Sequence, residues 1–62
     1  MDPNATLRDI NDALDVDDTE AADLACEDLY RWLTFNAFAP DWTRYPAATE
    51  YYRAYVARME RS

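Results

Sequence analysis

The feature that most constrains this chain is an absence: its 62 residues include no glycine. Glycine enters left-handed backbone conformations without steric cost, so phosphate-cradling loops and helix C-caps rely on it. A Gly-rich phosphate loop is therefore excluded, and any left-handed cap must fall to another residue, such as asparagine. Histidine is also missing, and Cys26 is the only cysteine. That removes His-based metal or acid/base sites, an internal disulfide and a Cys/His zinc site. A chain of about 60 residues buries only roughly 60% of the surface its unfolded form exposes. With no disulfide or zinc to help, packed helices or oligomerisation must supply the stability. Nine aromatics provide much of the material, since each can bury about 150–250 Å².

The apolar spacing predicts three helices in a single small domain over 1–62. The first covers about 3–15, with Asp2 as N-cap and Pro3 in the first helical position. Leu7, Ile10 and Leu14 form its apolar stripe. Residues 16–18 form a short turn, and Asp17 followed by Glu20 resembles a capping box. The second helix covers about 19–35, with Ala22, Cys26, Leu29 and Leu33 as its seam, flanked by Ala25 and Trp32. Glu20, Asp23, Glu27 and Arg31 make its wet face. Asn36 suits a left-handed cap, and Pro40 marks the stop. An aromatic connector follows, in which Phe38, Trp42 and Tyr45 are expected to plug the open end of the helix pair. The third helix covers about 46–60, starting at Pro46, with Ala48, Tyr52, Tyr55 and Met59 on one stripe. Glu50 and Arg53 are spaced for an ion pair. The expected core is Leu7, Ile10, Leu14, Ala22, Ala25, Cys26, Leu29, Trp32, Leu33, Phe38, Tyr52, Tyr55, Val56 and Met59. The expected fold is all-α: an antiparallel helical hairpin with a third helix packed across it.

Charge divides the chain. Residues 1–29 hold ten acids against one Arg, a net of −9, and residues 30–62 hold three acids against five Arg, a net of +2. Such an acidic half is either a solvated face that keeps a small protein soluble or a docking surface for a basic partner. No apolar run reaches the roughly 18 residues of a membrane span. The opening Met1-Asp2-Pro3-Asn4 is not a signal peptide. The expected compartment is the cytoplasm, with no membrane contact.

Candidate chemistry is thin. An EF-hand loop starting at Asp15 fails twice, with Glu20 where glycine is needed and Cys26 where a bidentate Glu is needed. Carboxylate acid/base work needs a buried acid with a shifted pKa, and these acids occupy wet positions. Cys26 lies on an apolar seam without a base, as a small core residue. No catalytic residue, cofactor or metal is expected, and the chain reads as a non-enzyme. Arg44, Arg53, Arg58 and Arg61 interleave with Tyr45, Tyr51 and Tyr52, but the acidic balance argues against direct nucleic-acid binding. Two surface features remain. Some of Phe35, Trp42, Tyr45 and Tyr51 should stay at the surface, where Tyr and Trp favour protein contacts. The acids Asp9, Asp12, Glu20, Asp23 and Glu27 repeat about once per turn, like a phosphate track.

The opening Met1-Asp2-Pro3-Asn4-Ala5-Thr6-Leu7, with Leu29-Tyr30-Arg31-Trp32-Leu33 and Phe38-Ala39-Pro40-Asp41-Trp42, resembles short bacterial and phage reading frames. Those frames often open Met-Asp-Pro-Asn and end a Trp-Leu helix at a Phe-x-Pro stop. Their usual Gly-Gly before that stop is Asn36-Ala37 here. The resemblance implies a helical shape and a phage or mobile-element source, and carries no activity.

The sequence thus points to a small acidic helical module that binds another protein, with a homodimer as one form of that binding. The candidate partner-binding residues are Phe38, Trp42, Tyr45, Tyr51, Asp9, Asp12, Asp23 and Glu27. The alternative is an acidic inhibitor or nucleic-acid mimic directed at a DNA- or RNA-handling enzyme.

Overall fold

The computed structural model describes residues 2–35 and 38–61. Three helices account for most of them: α1 (Pro3–Asp15), α2 (Thr19–Phe35) and α3 (Pro46–Arg61). The expected all-α hairpin with a third packed helix is the observed fold.

Helix α1 starts where its chemistry says it should. Asp2 is extended (φ −103°, ψ 114°) and its carboxylate accepts the Asn4 amide at 2.9 Å, while Pro3 fills the position whose N–H has no helical partner. The end of α1 solves the missing-glycine problem with an acid. Asp17 takes the left-handed conformation (φ 54°), which no other described residue adopts. The Asp18 amide then reaches back to the Ala13 carbonyl (2.8 Å) and the Asp17 amide to that of Leu14 (3.1 Å). These two bonds are a Schellman closure, normally built on glycine.

The same turn corrects the expected cap of α2. The capping carboxylate is that of Asp18, which accepts the Ala21 amide at 3.1 Å. Asp17 is already committed to ending α1, so the Asp17–Glu20 capping box does not form. The expected Asn36 cap lies outside the described residues.

The core centres on Leu7, Ile10, Ala13, Ala22, Cys26, Leu29, Ala48 and Tyr52. Helix α1 packs closely on α2, and α3 lies against α1 more than against α2. Cover from two sides widens the buried stripe of α1, which takes in Thr6 and Ala13 while Leu14 is only partly buried. Both buried threonines are satisfied: Thr6 Oγ1 donates to the Asp2 carbonyl and Thr49 Oγ1 to that of Trp42. Among the described residues no buried side-chain polar atom lacks a partner.

Two expected core residues are not in it. Phe38 is 75% exposed and Met59 is 40% exposed. The buried residues of α3, namely Ala48, Thr49 and Tyr52, all lie in its first half, and Met59, near its end, is only partly covered. At the open end of the hairpin, Pro40 is buried and Trp42 stacks on Tyr52 with ring centroids 5.6 Å apart. Those residues occupy the space expected for Phe38. The expected Glu50–Arg53 ion pair is also not among those formed by the described residues. The folded chain exposes 4291 Å², close to the roughly 4,100 Å² expected of a folded protein of this mass. A single copy therefore closes its own core.

Candidate interaction surface

The connector between α2 and α3 is held chiefly by its backbone. The indole N–H of Trp32 donates to the Phe38 carbonyl at 2.9 Å. The Asp41 amide donates to the side-chain oxygen of Asn4 at 2.6 Å, tying the connector to the first turn of α1. Asp41 in turn accepts from both the hydroxyl and the amide of Thr43, an Asx-type turn that holds its carboxyl below the usual carboxylate range. With the main chain fixed this way, the Phe38 ring projects outward. It borders a shallow groove of about 400 Å³ with Asp2, Pro3, Asn4, Trp32 and Ala39. Phe35, on the last turn of α2, is 82% exposed. Two wet phenylalanines thus flank one end of the hairpin.

The other candidate aromatics are engaged inside the fold. Trp42 is half-buried against Tyr52, and Tyr45 is half-buried at the start of α3. The Tyr51 hydroxyl donates to Asp23 Oδ1 at 2.6 Å, and Arg58 approaches the same oxygen at 3.8 Å. Asp23 therefore fastens α2 to α3 while its side chain stays about half in water. The reason is tertiary: the position is polar by its place on α2, but α3 brings a phenol to it. Hydrogen bonding to Asp23, followed by burial, pushes the Tyr51 phenol pKa up.

The acids divide by neighbourhood. Glu27 pairs with Arg31 one turn on. Asp9 and Asp12 are exposed on α1, as are Asp15, Asp17, Asp18 and Glu20 along the turn, and none of them forms an ion pair among the described residues. They form a ridge of unneutralised carboxylates. Among the described residues no group of three or more His, Cys, Asp or Glu is placed to hold a metal.

Cys26 is fully buried, and burial, with a smaller push from Asp23, raises its thiol to about 12. At neutral pH it is a thiol, not a nucleophilic thiolate. Burial likewise raises Tyr52 to about 12. Of the Arg/Tyr series, Tyr52 is packed on Trp42 inside the fold, while Arg58 stays exposed and lies 3.8 Å from Asp23. No described helix is long and apolar enough to cross a membrane.

Sequence reasoning missed Leu24, 60% exposed on α2. The signal was present: Leu24 and Phe35 lie eleven residues apart on one helix, which is close to three full turns. No protein-family model, curated protein or solved structure matches the chain.

Proposed function

We propose that this chain is a non-enzymatic protein-interaction module acting in the cytoplasm. The observation that carries the reading is the pair of wet phenylalanines, Phe35 and Phe38, the second of which borders the Trp32 groove, on a fold whose core is complete without them. Aromatic side chains held in water with their backbone anchored supply contact area at little ordering cost. A phage or mobile-element source belongs to the same proposal and rests on the Met1-Asp2-Pro3-Asn4 opening.

A second reading, an acidic inhibitor or nucleic-acid mimic, is favoured by the unpaired ridge of Asp9, Asp12, Asp15, Asp17, Asp18 and Glu20. Capture of binding proteins by the tagged chain at low and high salt tells the two apart. The aromatic reading predicts a partner that survives high salt, is lost with Phe35→Ala or Phe38→Ala, and is kept with Asp9→Asn and Asp12→Asn. The mimic reading predicts the reverse pattern and an enzyme that handles DNA or RNA. A captured protein insensitive to both sets of changes would refute both surfaces.

A further inference from the structure

The back of α2 carries an ordered stripe that the fold does not use. Leu24, Asp28, Arg31 and Phe35 are all exposed. At about 100° per residue they fall within roughly 60° of one another. The buried seam of Ala22, Cys26 and Leu29 lies on the opposite side of the same helix. The order along the stripe is apolar, acid, base, apolar. Reversed, it complements itself.

We propose that this stripe is the interface of a homodimer, in which α2 pairs antiparallel with α2 of a second copy about a two-fold axis between Asp28 and Arg31. In that register Leu24 packs on Phe35 of the second copy at both ends. In the middle, Asp28 meets Arg31 of the second copy, and the symmetric pair repeats the contact. Such self-complementarity is what an isologous interface requires. Glu27 comes opposite Trp32 rather than another acid. Arg31 already pairs with Glu27 of its own chain, and its guanidinium carries five donors, enough to hold both carboxylates. The dimer gives Leu24 (60% exposed) and Phe35 (82% exposed) the cover that the single chain does not. The inference rests on the interaction-module reading and names its partner as a second copy of the chain.

The contact is short. From Leu24 to Phe35 the stripe runs about 17 Å, which buries less than the roughly 1,600 Å² of a standard interface. A contact of that size belongs with weak, transient interfaces, so association is expected at high protein concentration.

Sedimentation equilibrium up to about 1 mM, a concentration at which even a contact with a Kd of about 1 mM is half-formed, tests the register through charge exchange. The wild-type mass should rise from 7.2 kDa toward twice that value. Asp28→Arg sets Arg against Arg, and Arg31→Asp sets Asp against Asp. Each alone should weaken association at least about tenfold, the loss of roughly one close charge pair. Mixed in equal amounts, the two variants should associate again, because every Arg of one then faces an Asp of the other. Bulk repulsion does not explain that pattern. Asp28→Arg adds two charges and moves the net from −7 to −5, yet it is expected to associate less. Far-UV circular dichroism confirms that both variants remain helical.

A wild-type mass fixed at 7.2 kDa overturns the proposal. So does association that neither single change weakens, or a mixture that stays monomeric. In each of those cases capture of a foreign protein through Phe35 and Phe38 would leave the broader reading standing, so the two fail separately.

Discussion

Asp17 permits a quantitative test of how a glycine-free chain ends its first helix. Its φ of 54° lies in the left-handed region, where a residue with a Cβ is disfavoured by about 1–2 kcal/mol and a β-branched side chain fares worst. Asp17→Gly removes that penalty but gives the unfolded chain more freedom, which costs back about 0.5–1 kcal/mol. The net expectation is a gain of about 0.5 kcal/mol, the difference of these two effects. Asp17→Val, by contrast, should lose about 1.5–2 kcal/mol. Charge contributes little to either result. The carboxylate is unfavourable at the C-terminus of α1 and favourable just before the N-terminus of α2, and the two dipole effects oppose each other. Asp17→Asn isolates that charge and should stay within about 0.5 kcal/mol of wild type. A chain of this size has a total stability of roughly 3–9 kcal/mol, so all three variants fold. At about 4–8 °C per kcal/mol, Gly and Val should differ in melting temperature by roughly 8–20 °C. Thermal melts followed by far-UV circular dichroism measure this. Equal melting of the Gly and Val variants, or a Gly variant below wild type, would falsify the account of this turn.

Three further outcomes follow from the packing. Tyr51→Phe removes the hydroxyl that binds Asp23 and should cost about 1.5 kcal/mol, the low end for a bond to a charged acceptor because the site is only half-buried; an unchanged melting temperature would mean the contact holds nothing. Trp42→Ala strips the ring stacked on Tyr52 and should cost about 2–3 kcal/mol, less than a fully buried Trp, so lost binding in that variant must be read beside its circular dichroism. Alkali should unfold the chain: Cys26 rises from its ordinary 9.0 and Tyr52 from 10.0, both to about 12. Their protonated forms are favoured in the fold, so this stabilisation is complete below pH 9 and lost as the pH climbs toward 12. A melting temperature flat to pH 12 would contradict the burial of both groups, as would labelling of Cys26 by a thiol reagent faster than global unfolding.

The helix boundaries were legible because their signals are local. Asp2-Pro3, the acid turn and Pro46 each fix a helix start through bonds spanning only a few residues. The seam of Ala22, Cys26 and Leu29 was legible from its period. What the sequence hid depends on how α3 lies across the pair. Asp23 has the periodicity of a solvated acid, and only the approach of Tyr51 makes it a tether. Phe38 looks like a plug by size, but Pro40 and Trp42 already occupy that end and the Trp32 indole holds the Phe38 carbonyl rather than its ring. Ala13 and Ala48 are buried by close helix approach, which small residues allow and hydrophobic strength does not announce. In the acid turn, composition could not say which aspartate would go left-handed and which would cap. Of the candidate contact residues, the exposure of Asp9 and Asp12 followed from residue type and position, whereas the exposure of Phe38 depended on the path of the connector and the engagement of Trp42, Tyr51 and Asp23 required the third helix.

Asp18 stands at the end of one helix and the start of the next with all of its polar groups committed. Its amide binds the Ala13 carbonyl, its carboxylate the Ala21 amide, and its carbonyl the Ala22 amide. Neither helix can unravel its terminal turn at this junction without releasing the other. Fraying, which usually begins independently at each helix end, becomes a shared event here. Amide protons from Val16 to Ala22 should exchange with solvent as one group, and their common rate reports the parting of α1 from α2.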